Sequence, residues 1–237
     1  MKFSTNNIPP FFTSPVKAIY CLLLAVIIPG LVGHANELAH RLQTMSAAQV
    51  PVREILTYTK SNRPLEIIYF PGTTDKNVLI VGGMHGSELS SIELAHTIVA
   101  MLQKGERPTY NTWIIPSLFP DNAARAAAAP SLIGGLENLG RYSGQHSIDP
   151  NRQMPMPGVS YTPHNPVDSR GRLIEIENQW LLDIIQHLQP ERIAALHAIR
   201  NVAHAGVFAD PRTDCAGIAK GFSADSVLHC KWPALFS

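Results

Sequence analysis

The chain has 237 residues, 45% of them hydrophobic and 16% charged, enough apolar material for one globular domain and little room for a second. Its formal net charge is +1 and no Lys/Arg cluster forms a basic face. The electrostatic footprint that nucleic-acid binding requires is therefore missing.

Residues 1–35 read as a secretory signal peptide. Lys2 and Lys17 precede the apolar run "AIYCLLLAVIIPGLVG", which ends at "GHA" with small residues at the positions that a signal peptidase reads. A membrane anchor is the rival, but the run from Ala18 to Val32 is short of the roughly 20 residues a span requires and contains Pro29. Cleavage after Ala35 would leave a domain over 36–237 with a formal charge of −1, since Lys2 and Lys17 are the only charged residues removed. The expected location is periplasmic or secreted, with no stable membrane span after cleavage. Cys21 lies inside the signal, so the mature chain keeps Cys215 and Cys230; a disulfide between them is permitted outside the cytoplasm.

Strands are predicted at "LEIIYF" (65–70) and "NVLIVGG" (77–83), the second without polar alternation, as suits a strand buried on both faces. Leu89, Ile92, Ala95, Ile98, Val99 and Leu102 then recur at helical spacing, with Gly105 and Pro108 as stop signals. "TWIIPS" (112–117) is a third strand, and "AARAAAAP" reads as a short helix. The long Pro-, Gly- and Asn-rich stretch from Ser117 to Arg172 holds several arginines, which favours a functional loop. Ile174, Leu181, Ile185 and Leu188 mark a second long helix closed by Pro190, and "RIAAL" (192–196) is a fourth strand. Strands separated by helices predict an α/β fold with parallel pairing and helices on the sheet faces.

His85 and Glu88 form an H-x-x-E pair, a cheap pattern that His34 and Glu37 repeat by chance. Context separates the two. His85 follows a buried strand and precedes a helix, the place where open α/β sheets bind ligands. Gly82, Gly83 and Gly86 allow a sharp turn, so His85 and Glu88 can reach one point. A catalytic zinc usually takes three protein ligands and leaves a position for water. His197, at the end of another apolar strand on the same expected sheet edge, supplies the third donor, with His204 as a substitute. The remaining histidines, including His96, His146, His164, His187 and His229, read as surface or packing residues.

This order of features, H-x-x-E after a Gly-rich strand end, then "DPNR" in a polar loop, then a strand ending in Leu-His, resembles the M14 zinc carboxypeptidases, and within them the murein peptide amidase branch. The resemblance covers about residues 65–200. It implies a three-layer α/β/α domain with a mixed, mostly parallel sheet and one Zn2+ held by His85, Glu88 and His197. It further implies that Asn151 and Arg152 clamp the substrate carboxylate, for which a guanidinium fork is suited. Arg141 in "GRYSG" is the match for the arginine that stabilises the oxyanion, with Arg125 as the alternative. Arg152 read as an ordinary loop residue would instead pair with Asp149 or Asp168. The implied activity is zinc-assisted hydrolysis of a peptide amide, with peptide or cell-wall peptide as substrate.

The chain departs from the family at the general base, whose glutamate is expected on a strand several dozen residues past the last histidine ligand. No glutamate follows His197. Asp210 and Asp214 lack the family context. A truncated or frameshifted chain is the preferred explanation; loss of catalysis, or a base recruited from Glu175 or Glu177, are the others. Those two glutamates also suit a helix start, where carboxylates favour the positive end of the dipole. Two other functions compete: an N-acyl amino acid deacylase resembling the succinylglutamate desuccinylase and aspartoacylase group, and a non-catalytic binding module. Ser87 in "MHGSE" lacks the G-x-S-x-G elbow of a serine hydrolase.

Overall fold

The computed structural model describes residues 36–143, 148–156, 159, 161 and 166–198. Residues 1–35, expected to be a signal peptide, together with His204, Asp210, Asp214 and the Cys215/Cys230 pair, lie outside the described residues. Helix α1 covers residues 36–46, followed by strands β1 (Val52–Tyr58), β2 (Pro64–Phe70) and β3 (Asn77–Val81). Then come α2 (Leu89–Lys104), β4 (Asn111–Ile115), α3 (Pro120–Ala128), α4 (Ile176–Leu188) and β5 (Arg192–Ala195).

The strands form one sheet in the order β1-β2-β4-β3-β5. β3 runs parallel to both β4 and β5, whereas β2 runs antiparallel to β1 and to β4. The fold is the expected mixed α/β, but its described ladders are evenly divided rather than mostly parallel. The reason is local: no helix separates β1 from β2 or β2 from β3, so the chain reverses at each of these short connections, and β2 runs against β1 and against the parallel pair β3 and β4.

Alternation along each strand sorts the side chains into two cores. Leu65, Ile67 and Tyr69 of β2, Leu79 and Val81 of β3, and Trp113 and Ile115 of β4 face one side, where Leu38, Leu42 and Met45 of α1 and Leu181, Ile184, Ile185 and Leu188 of α4 cover them. Ile68, Phe70 and Ile114 face the other, against Ala95 and Val99 of α2. Helices on both faces make three layers. β1, in which Leu56 alone is buried and the other residues are half-buried or exposed, and α1 are elements that the apolar runs in the sequence do not announce.

Asn77 links three elements, accepting from Trp113 Nε1 at 3.0 Å and donating Nδ2 to the carbonyl of Leu188 at 3.0 Å. Helix α4 in turn carries Asp183, whose carboxyl meets the Tyr161 hydroxyl of the long loop; Tyr161 packs with Ile174 and Leu182. Burial pushes the Asp183 carboxyl up to about 6, against the hydrogen bond from Tyr161. Among the described residues no helix is long and apolar enough to cross a membrane.

Asn77→Ala strips the partner from the indole N–H of Trp113, which is fully buried. The expected loss is about 2 kcal/mol, read as a lower urea midpoint with unchanged slope. For Asp183, the folded state holds its proton more tightly than the ordinary value of 3.8 allows, so the contribution is present below that value and is lost as pH rises through about 6. Asp183→Asn is therefore expected to gain melting temperature over wild type as pH rises from about 4 to about 6, with a constant difference above; a flat difference across that window contradicts the assignment.

Candidate metal centre

The parallel register of β3 and β5 sets the site. Val81 lies opposite Ala195, and the Leu196 N–H donates to the Val81 carbonyl at 2.8 Å, extending the ladder by one step. His85 and His197 therefore leave the same carboxyl edge of the sheet. Between β3 and α2 the backbone turns sharply: Gly83 has φ +61°, and a Cβ on Gly86 would lie 2.2 Å from the Ala123 nitrogen of α3. Glu88 caps α2. Its N–H donates to the His85 carbonyl at 3.0 Å, and its own carbonyl accepts from Ser91 N–H and Oγ at 2.9 and 2.7 Å.

The Glu88 carboxylate occupies the middle of the cluster. Its Oε1 lies 2.9 Å from His85 Nδ1 and its Oε2 lies 2.9 Å from His197 Nδ1. The Ala198 N–H also donates to Oε2, at 3.0 Å. One ligand atom from each of His85, Glu88 and His197 falls within 4.8 Å of the others. His85 is almost fully buried, at 2% exposure, whereas the His197 side chain is 35% exposed, so the cluster opens to solvent on the His197 side.

Two imidazoles and a carboxylate suit a zinc ion chemically, and the geometry fits. Zinc bonds of about 2.0–2.2 Å put tetrahedral ligands about 3.4 Å apart. The observed convergence requires only small side-chain shifts to meet that.

Two groups surround the cluster. Arg141 donates Nη1 to Glu88 Oε1 at 3.2 Å, and its Nη2 lies 3.6 Å from Asp149 Oδ2. Arg125 is held elsewhere, donating to Asn122 Oδ1 and the Tyr142 carbonyl. Of the two arginines, Arg141 is the one brought to the cluster. Its loop is fastened there by the Ser87 N–H, which donates to the Gly140 carbonyl at 3.1 Å.

Asp149 is the residue that sequence reasoning missed. Its Oδ1 lies 2.8 Å from His85 Nε2 and accepts the Asn151 N–H at 3.0 Å, capping the short 3-10 turn Pro150–Arg152. The signal is in "DPNR", where the sequence offers the aspartate as a partner for Arg152 and the structure gives it to His85. Asn151 and Arg152 sit on that turn, tied to the cluster through Asp149 and backed by Asn178, which donates to the Pro150 carbonyl. The Arg152 guanidinium is exposed and does not join the cluster; Asp149 belongs to His85 and Arg141, and Asp168 to Arg172. Glu175 and Glu177 make no described contact with the cluster and line a separate cleft.

The electrostatics follow from these contacts. Burial pushes the Glu88 carboxyl up, but hydrogen bonds from His197, His85 and Ala198 N–H overrule it and hold the group far below the usual carboxylate range. Asp149 is likewise lowered, burial being outweighed by the hydrogen bond and charge of His85 and by the Asn151 N–H. For His85, burial favours the neutral ring, and hydrogen bonds to Glu88 and Asp149 reverse that, raising its pKa. The two carboxylates stay ionised at neutral pH, one as a potential ligand and one behind the buried imidazole.

No family model and no curated protein sequence matches the chain. Solved structures do. The chain is similar to a protein from Shewanella denitrificans described as a carboxypeptidase A, 16% identical, over 81% of this chain and 50% of that one, with a TM-score of 0.50. An aspartoacylase family protein from Mesorhizobium loti is 16% identical over 64% of this chain and 41% of that one, with a TM-score of 0.43. The carboxypeptidase A of Helicoverpa armigera is 18% identical over 70% and 44%, with a TM-score of 0.45. The chain spans half the length of these structures or less. At such identities the first likeness establishes a shared carboxypeptidase-like fold and no activity.

A carboxylate that orients a ligating histidine typically governs metal affinity by about 10–100-fold. Asp149→Ala is expected to weaken zinc binding by that factor in competition with a chromophoric chelator, with the far-ultraviolet circular dichroism retained. Unchanged affinity would show that His85 needs no such orientation.

Proposed function

We propose that the chain is a zinc-dependent hydrolase of carboxypeptidase type that acts on a peptide amide, with cell-wall peptide as the substrate class. The observation that carries the reading is the convergence of His85, Glu88 and His197 from two strand ends on one point, with Arg141 beside it. The branch and the cell-wall substrate rest on the sequence resemblance, and export on residues 1–35.

In this reading His85, Glu88 and His197 hold one zinc ion, which when bound supplies Lewis acidity towards a carbonyl oxygen and lowers the pKa of its water to about 7. Asp149 accepts the proton on His85 Nε2, which leaves the Nδ1 lone pair facing Glu88 and the cluster. Arg141 presents its guanidinium at the edge of the cluster, where negative charge developing on a substrate oxygen can accept from it. Asn151 and Arg152 bind the substrate carboxylate, the exposed guanidinium offering a bidentate fork.

A second reading has one observation in its favour. No carboxylate among the described residues stands beside the cluster in the position of a general base, since Glu175 and Glu177 lie on another surface and Asp149 is committed to His85. A binding module that holds metal or peptide without cleaving it fits that arrangement. The N-acyl amino acid deacylase reading shares the metal ligands and differs in substrate.

Metal content by mass spectrometry and turnover of two substrate sets, C-terminal residues on model peptides and N-acyl amino acids, separate these readings. Stoichiometric zinc with release of a terminal residue is the expected result, and zinc without turnover of either set supports the binding module. His197→Ala is expected to abolish zinc retention. Arg141→Ala is expected to keep the metal and lower kcat by about 10²–10³-fold. Absence of zinc from protein purified without chelators would end the hydrolase reading.

A further inference from the structure

A cleft of about 530 Å3 lies between the β1–β2 turn, α3 and the first turn of α4. Ligand pockets commonly fall in the range of about 300–1,000 Å3. Its wall carries three cations, Lys60, Arg63 and Arg125, and three carboxylates, Asp121, Glu175 and Glu177. None of His85, Glu88, Arg141, Asp149 or His197 lines it.

Pairing within the wall leaves a defined remainder. Asp121 accepts from Thr59 Oγ1 at 2.6 Å and from the Ser61 N–H at 3.3 Å, and faces Arg63 at 3.7 Å. Glu175 accepts from Ser143 Oγ at 2.6 Å. Those two carboxylates are committed. Glu177 takes only its own backbone N–H and has no side-chain partner among the described residues. Burial pushes its carboxyl up, as do the neighbouring charges of Glu175 and Asp121, while that hydrogen bond and Lys60 oppose the rise.

On the positive side, Arg125 uses one nitrogen, Nη2, to reach Asn122 and the Tyr142 carbonyl, which fixes the guanidinium and leaves the rest of its fork to the cleft. Lys60 is exposed and has no hydrogen bond or ion pair among the described residues. Phe119, Ala124, Ala128 and Ile176 supply apolar wall between the charges.

An anion alone would meet the cations and leave Glu177 unpaired beside it. A cation alone would do the reverse. A ligand that carries both a protonated amine and a carboxylate on a short stem satisfies the remainder. We propose that this cleft binds a free amino acid or short peptide as a zwitterion, with the amine against Glu177 and the carboxylate against Arg125 and Lys60. The assignment stands apart from the metal centre and does not depend on the hydrolytic reading.

The test is isothermal titration of the full chain with glycylglycine, N-acetylglycine and glycinamide. Glycylglycine is expected to bind saturably, and the two singly charged analogues to bind at least about tenfold more weakly, since each loses one charge-assisted contact. Glu177→Gln and Arg125→Gln are each expected to weaken glycylglycine by about tenfold or more, whereas His197→Ala leaves it within about twofold. Equal affinity for all three compounds, no saturable binding, or loss of binding in His197→Ala with retention in Glu177→Gln would each overturn the proposal; the last would place the dipeptide at the metal centre. The comparison of compounds on the wild-type chain needs no variant, so a substitution that fails to fold does not remove the test.

Discussion

The Glu88 carboxylate, gripped between two imidazoles from different strand ends, is the interaction on which the functional surface depends. It exists because β3 and β5 are parallel neighbours in register, so that the chain leaves both at the same edge within side-chain reach. An antiparallel β5 would send residue 197 to the opposite end of the sheet. The charge balance is equally dependent on this arrangement: a carboxylate with little exposure is costly to keep ionised, and the two ring nitrogens with the Ala198 N–H offset that cost.

Around this centre, each supporting element acts twice. Asp149 orients His85 and caps the turn that bears Asn151 and Arg152, so the proposed metal site and the proposed carboxylate clamp share one fastening. The loop that delivers Arg141 is pinned at Gly140, where a Cβ would come within 2.6 Å of the Asn122 carbonyl. Gly86 packs against the same helix from the other direction. Helix α3 therefore acts as a backing plate between the His85–Glu88–His197 cluster and the mixed-charge cleft. A shift in α3 would be felt on both surfaces, because close-packed backbone has no slack to absorb it.

The parts of the fold that were legible in the sequence are the ones with uniform environments. "NVLIV" reads as a strand because both of its faces meet helices, and Ala95 and Val99 betray α2 because only one stripe of that helix is buried. β1 is different: one edge and much of its surface face solvent, so its composition follows no single burial pattern, and its pairing with β2 comes from a short turn rather than from apolar content. Among the residues that the structure brings together, His85, Glu88 and His197 could be named from their places near strand ends, and Arg141 is preferred to Arg125 through the family resemblance alone. Asp149 could not be given its position behind His85, since nothing in a linear motif tells which imidazole edge a carboxylate will meet.

The sequence by itself determined the apolar strands and helices, the α/β class and the short menu of side chains able to bind a metal, because these follow from hydrophobic period and from the chemistry of histidine and glutamate. Only the tertiary structure decided the antiparallel placement of β2, which of two arginines lies beside Glu88, the buried contact of Asp149 and the arrangement of charges in the cleft. Each of these depends on distances between residues remote in the chain, and such distances are set by how layers pack and not by local preference.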